Sequence, residues 1–235
     1  MSERPSIRRT FESQLQALEQ NLLRLGSMVE AMLDDAITAL VNQDVALANR
    51  VIARDDEADQ LDLDIEIECM DLLALQQPMS RDLRLIGTVL RATTDLERIG
   101  DYSVDIAKVA IRLSGSPYFK PLVDIPRMAQ LAKKMVHDTL RAFADRDLTA
   151  VQRICTTDDD QVDAMNSRLF DELLAAMQTR PEVVVQAAYF LLVTRFLERV
   201  ADHCTNIAER IFYMETSERY LAKCSGEIPL VPISS

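Results

Sequence analysis

The chain has 235 residues and 48% hydrophobic content, enough for a sizeable core in one large domain or two small ones. Its 38 acidic residues against 26 basic ones give a net charge of -12, and no stretch concentrates Lys and Arg with interleaved aromatics. A binder of phosphate backbone needs a basic footprint, so nucleic acid is excluded as a direct partner and an anionic membrane surface is disfavoured.

Scarce glycine, absent tryptophan and few β-branched runs predict an all-α chain. Residues 1–10 form a polar arm without the apolar stretch of a secretory signal. From Phe11 to Val41, apolar residues such as Leu15, Leu18, Leu22, Leu25, Met32 and Leu40 recur at helical spacing. Asn42-Gln43-Asp44 breaks that helix. A second runs through Val51 and Leu61 to Leu73, with a kink or local solvation expected at Asp55-Asp56-Glu57. Gln76-Gln77-Pro78-Met79-Ser80 ends it, and Ser80 is the expected N-cap of a third helix from Arg81 to Leu113. Ser114-Gly115-Ser116-Pro117 opens a linker, residues 115–124. Helices over Ile125–Ala144 and Leu148–Met177 follow, and a last one starts near Thr179 to Glu182, with Thr179 or Arg180 as cap and Pro181 in its first turn, and ends near Met214. Residues 217–235 cannot continue it, because Pro229 and Pro232 interrupt the tail.

An internal repeat orders these elements. Glu97 and Glu198 are 101 residues apart, and the same shift carries Asp59-Gln60-Leu61-Asp62 onto Asp160-Gln161-Val162-Asp163. Earlier, Asp44-Val45-Ala46-Leu47 meets Asp147-Leu148-Thr149-Ala150 at a shift of 103, so the second copy loses two residues before its acidic turn. The expected architecture is two tandem three-helix bundles, residues 11–114 and 125–216.

At the centre of each unit lies a ladder of oxygen-bearing side chains, Glu97, Asp101 and Asp105 in the first and Glu198, Asp202 and Asn206 in the second. Steps of four residues rotate by only about 40°, so each triplet stays on one side of its helix. Turning 100° per residue places the ladders in line with Leu83, Ile86, Leu90, Val104 and Ile111, and with Val184, Ala187, Leu191 and Phe212. That is an inward stripe, where carboxylates need a compensating charge or a protonation shift. Three readings stay open. Arg98 and Arg199, with Arg91 and Arg195, could neutralise the acids. The opposite face, with Ile99, Ile106, Val200 and Ile207, could be the buried one, leaving the ladders wet. Or the ladders bind a hard metal ion, since an all-oxygen set suits Mg²⁺, Mn²⁺, Ca²⁺ or iron and disfavours structural zinc.

Other chemistry is sparse. His203 lies across its helix from Glu198 and reads as a packed or surface side chain, and His137 has no partner legible in the sequence. The runs Asp55-Asp56-Glu57-Ala58-Asp59 and Asp158-Asp159-Asp160 read as solvated charge, with a secondary role kept open by their equivalent positions. Cys69, Cys155, Cys204 and Cys224 are scattered, so reduced thiols are expected. There is no Gly-rich phosphate loop, GxSxG elbow, HExxH or paired Glu-x-x-His motif, which leaves a di-iron-type enzyme as the weaker class and a metal-free scaffolding bundle as a further alternative. The most apolar run, Val183 to Val193, is well short of the ~20 residues that span a bilayer.

Leu96-Glu97-Arg98-Ile99-Gly100-Asp101 and Leu197-Glu198-Arg199-Val200-Ala201-Asp202-His203-Cys204-Thr205-Asn206 resemble the paired signature of the PhoU family, and the likeness extends from about Phe11 to Ser217. The resemblance implies a cytoplasmic, non-enzymatic regulator of phosphate homeostasis. Such an adaptor works between a phosphate ABC transporter, through its ATPase subunit, and a sensor histidine kinase, represses the phosphate-starvation response, and forms a homodimer. It further implies metal at Glu97, Asp101 and Asp105 and at Glu198, Asp202 and Asn206, where Mg, Mn or Fe fits the ligands better than Zn. Asn206 departs from the acidic pattern, so the two sites would differ in charge.

Overall fold

Two helices at matching places in the chain start where an aspartate pairs with their first amides. Asp44 is extended and accepts from the Leu47 amide, which opens α2, and Asp147 accepts from the Thr149 and Ala150 amides, which opens α5. The two preceding helices stop on matching left-handed residues, Gln43 and Arg146. The repeat is therefore visible in the caps before it is visible in the packing.

The computed structural model describes residues 7–220. Its helices are α1 Ile7–Asn42, α2 Val45–Gln76, α3 Ser80–Leu113, α4 Asp124–Asp145, α5 Leu148–Arg153, α6 Asp159–Thr179 and α7 Val184–Thr216. A π turn, Ile154–Asp158, joins α5 to α6 without a break, and a 3₁₀ turn, Pro181–Val183, leads into α7. The described chain is thus six long rods, all helical. Residues 1–6 of the expected arm and 221–235 of the expected tail lie outside the described residues; residues 7–10 already belong to α1.

Three local expectations need correction. Ser80 does not cap α3: its φ of 46° takes it out of the extended conformation a cap needs, and the flanking Met79 makes no side-chain cap bond. Thr179 does not cap the last helix, because its hydroxyl turns back to the Ala175 carbonyl at 3.0 Å; Arg180 takes the extended cap position before Pro181, as expected, through its backbone carbonyl and without a side-chain bond. Of the two expectations at residues 55–57, solvation holds and a break does not: α2 runs unbroken, with Asp56 and Glu57 exposed and Ala58 in the core.

The π turn accounts for the two residues missing from the second copy. Removing two residues turns the remainder of a helix by about 200°, which would aim the α6 core face at solvent. A single π turn absorbs one more residue, so the deficit approaches one full α turn and the face returns to within about 60°. Ions pin this turn to α4: Arg153 meets Asp138 at 2.6 Å and Asp158 at 3.1 Å, and Lys134 meets Asp138 at 2.9 Å.

The helices α3 and α7 are central. The first packs on α1, α2 and α7, the second on α4, α6 and α3, while α1 crosses to α4. Arg84 donates to the Met214 carbonyl at 3.0 Å, Thr88 to the Arg210 carbonyl at 3.4 Å, Asp95 meets His203 at 2.8 Å and the Tyr102 and Phe196 rings stack at 5.8 Å. Positions fall on one helix as they rise on the other, so the pair is antiparallel. These contacts centre on Arg98–Ile99 and Arg199–Val200, inside the doubled motif. Ile99 and Val200 are wholly buried there.

The two bundles do not hold separate cores. A single apolar cluster runs from Leu15 through Ile99 to Met214. Ile99→Ala is expected to cost about 2–5 kcal/mol through lost burial and a cavity at the crossing. Urea unfolding followed by helix content checks both that loss and its form, which is one shared transition rather than separate steps for the two repeats.

Candidate functional site

The first ladder leaves the core as it climbs. α3 buries a wide arc because three helices cover it, and Glu97 lies at the margin of that arc. Side-chain exposure then rises from 24% at Glu97 to 38% at Asp101 and 42% at Asp105, as a 40° rotation per step requires. The second ladder behaves alike, with Glu198 at 14%, Asp202 half-buried and Asn206 exposed. The expected inward placement holds for part of each stripe: Ile86, Val104 and Ala187, in line with the ladders, are buried, whereas Leu83 and Val184 are exposed, and Ile99, Ile106, Val200 and Ile207 make the opposite side the more fully buried one.

Arginine lies over each leading glutamate, by a different route in each repeat. Arg98 donates to Asp101 at 2.8 Å and lies 3.4 Å from Glu97. In the second unit Arg195, three residues earlier, pairs with Glu198. Lys108 meets Asp105 at 3.1 Å. Asn206 turns away from its ladder toward Asp95, at 3.5 Å.

More acids face the first ladder from α2. Burial raises the pKa of Asp55, and neighbouring Asp59 and Asp101 add to it. Asp59 is raised by burial and then by Asp101 and Asp62. Asp62 is raised by burial, although it accepts from the Thr93 hydroxyl at 2.9 Å. Glu97 is raised by burial and by Asp101, with Arg98 opposing. Glu198 is raised by burial and by Asp202, with Asp163 adding and Arg195 and Arg199 opposing. In both repeats burial first, and like charge second, outweigh the opposing arginines. Glu198 Oε2 is buried and, among the described residues, has no hydrogen-bond partner.

In the sequence Asp55 and Asp59 read as solvated charge with a secondary role kept open, and Asp62 carries no such reading. The signal that could have promoted them was the recurrence of Asp59-x-x-Asp62 as Asp160-x-x-Asp163 at the ladder's own shift of 101. A second site missed by sequence is the crossing contact of Asp95 with His203. The equivalent positions are Phe196 and Tyr102, so one pseudo-symmetric contact is a charged hydrogen bond on one side and a ring stack on the other. His137 also has a partner, Glu30 at 3.6 Å.

The donor chemistry fits an oxygen-seeking cation. Glu97, Asp101, Asp59 and Asp62 offer only oxygen, and an open cleft of about 280 Å³ is lined by Asp55, Arg98, Asp101, Tyr102, Asp105 and Lys108. Burial pushes the Cys69 thiol up to about 12 and Cys204 higher still, so neither is a thiolate ligand. Among the described residues no group of three or more carboxylates, thiols or imidazoles is already gathered as a metal cage. Arg98 and Arg195 supply the positive charge beside the leading glutamates.

A carboxyl whose folded-state pKa lies above its unfolded value binds its proton more tightly in the folded chain. Its contribution is fully present below the unfolded value, 4.5 for Glu97 and Glu198, and is lost as pH rises through the raised one. Glu97→Gln/Glu198→Gln is therefore expected to melt higher than wild type near neutral pH in the presence of chelator, with the difference shrinking as pH falls toward 4.5. Thermal melts across pH check this.

The sequence model of the PhoU domain matches residues 22–110 and again 125–211. A phosphate-specific transport system accessory protein PhoU homolog of Clostridium acetobutylicum is 40% identical over 213 residues, covering 90% of this chain and 97% of its own. The Escherichia coli protein of that description is 33% identical, over 86% of this chain and 84% of its own. Among solved structures, PhoU from Pseudomonas aeruginosa superposes with a TM-score of 0.85 at 32% identity, over 88% of this chain and all of that one. The phosphate transport system regulatory protein PhoU from Streptococcus pneumoniae gives 0.83 at 32% identity, over 89% of this chain and 99% of that one.

Proposed function

The chain belongs to the PhoU family of phosphate-transport accessory and regulatory proteins, which are not enzymes, and we propose that it is a cytoplasmic adaptor that holds the phosphate-starvation response down when phosphate is plentiful. Its partners in this reading are a sensor histidine kinase and the ATPase subunit of a phosphate ABC transporter, and it works as a homodimer. The observation that carries the reading is the family match across both repeats, each with its Leu-Glu-Arg ladder at the centre of the α3–α7 crossing. No described helix is long and apolar enough to cross a membrane.

In the same reading the ladders hold metal, with Glu97, Asp101 and Asp105 and the α2 acids as donors in the first unit, and Glu198, Asp202 and Asn206 in the second. Mg, Mn or Fe suits this all-oxygen set better than Zn. A bound cation would supply the positive charge that Arg98 and Arg195 supply only in part. These arginines would then be free to turn outward. An adaptor needs two arrangements that its partners bind unequally, and such an exchange of charge partners is one physical difference between them.

Two outcomes are expected. In cells lacking the protein, a phosphate-responsive reporter is high in rich phosphate, and restoring the gene returns it to low; a reporter that stays low without the protein contradicts the repressor role. Elemental analysis of untagged protein finds Mg, Mn or Fe, and Glu97→Ala/Asp101→Ala with Glu198→Ala/Asp202→Ala removes it. Metal-free wild-type protein would overturn the metal assignment and leave the adaptor standing.

A further inference from the structure

The helix α2 is apolar on two opposite sides. Its inner side, Ala58, Leu61, Ile65, Cys69 and Leu72, enters the core. Directly opposite, Leu63, Ile67 and Met70 follow one another at four- and three-residue spacing with exposures of 47%, 51% and 54%. Leu75 and Met79 extend the apolar surface at the tip, at 75% and 78%. The core does not need this outer stripe, and the second repeat shows it. At the shift of 101 the corresponding residues are Ala164, Arg168 and Asp171, exposed and mostly polar, and the exposed apolar residues of α6, Phe170 and Leu174, lie on another side of that helix.

The surroundings restrict what can cover the stripe. Between Asp55 and Ser80 there are nine acidic residues and no Lys or Arg. Asp59 and Glu66 flank the stripe on one side and Asp64 and Asp71 on the other, all exposed. A second copy pairing through the same face would set carboxylates against carboxylates. The chain's own residues 221–235 offer only Lys223, offset by Glu227.

We propose that the outer face of α2 is a docking surface for a basic amphipathic helix of a partner protein, with apolar side chains on the Leu63, Ile67, Met70 stripe and Lys or Arg against the acidic flanks. This deepens the adaptor reading by assigning one of its partner surfaces and the chemistry that partner presents. On α6 the exposed apolar residues are Phe170 and Leu174, at other positions and without the same acidic flanks, so the two halves present different outer faces.

The test uses the full chain and two synthetic helical peptides of equal length, each with a leucine stripe, one flanked by lysines and the other by glutamates. Fluorescence anisotropy is expected to show the lysine peptide binding at least about tenfold tighter than the glutamate peptide, weakening as salt rises. Leu63→Ser/Ile67→Ser is expected to weaken it by about tenfold or more, and Leu174→Ser, on α6, to leave it unchanged. All three residues are exposed, and unchanged melting of the variants verifies folding. Equal binding of both peptides, or binding unaffected by Leu63→Ser/Ile67→Ser, overturns the proposal. So does a wild-type dimer in sedimentation that the same variant dissociates, which would assign the stripe to a second copy. Neither peptide result depends on phosphate, so a failure here is distinct from a failure of the reporter experiment.

Discussion

The antiparallel crossing of α3 and α7 is the constraint on which the rest depends. Ile99 and Val200 fill its centre without any exposed surface, and the contacts on either side repeat about it. A pseudo-two-fold axis placed there fixes where both ladders stand. Their leading glutamates must share a helix with the most deeply buried residues of the molecule, so they can leave the core only gradually. Partial burial of Glu97 and Glu198 follows from the crossing and not from any separate packing requirement.

Partial burial also sets the electrostatics. A carboxylate at the edge of an apolar arc loses solvation, and further acids from α2 add like charge. Arginine offsets this incompletely, and it arrives from a different position in each repeat. The two units therefore share a backbone and differ in charge. Asn206, Arg195 and the unpartnered Glu198 oxygen belong to one unit, and Asp105, Lys108 and the dense α2 acids to the other. One backbone plan thus carries two different arrangements of charge.

Much of this was legible in the sequence. Long rods with little glycine give strong helical periodicity, and the shift of 101 exposed the repeat and located both ladders. What escaped has identifiable causes. The π turn was invisible because a two-residue loss reads equally well as a shorter loop. Ser80 looked like a cap, yet capping depends on a backbone angle that composition does not reveal. The ladders were placed inward because an ideal 100° wheel cannot tell which of two apolar sides is covered when three helices pack around α3. The same difficulty hid the role of α2, whose acids face a neighbour that only tertiary structure supplies. The Asp95 and His203 pair joins residues far apart in sequence with no shared motif.

In the proposed reading each ladder, with the acids around it, presents partly buried negative charge that a cation balances. The most direct test of that claim is thermal unfolding of metal-free protein titrated with Mn²⁺. Binding to the folded state alone raises the melting temperature in proportion to the logarithm of free ion above the dissociation constant. Wild type should show that rise, and Glu97→Gln/Glu198→Gln should lose most of it. A melting temperature indifferent to Mn²⁺, or rising equally in both proteins, would contradict the claim.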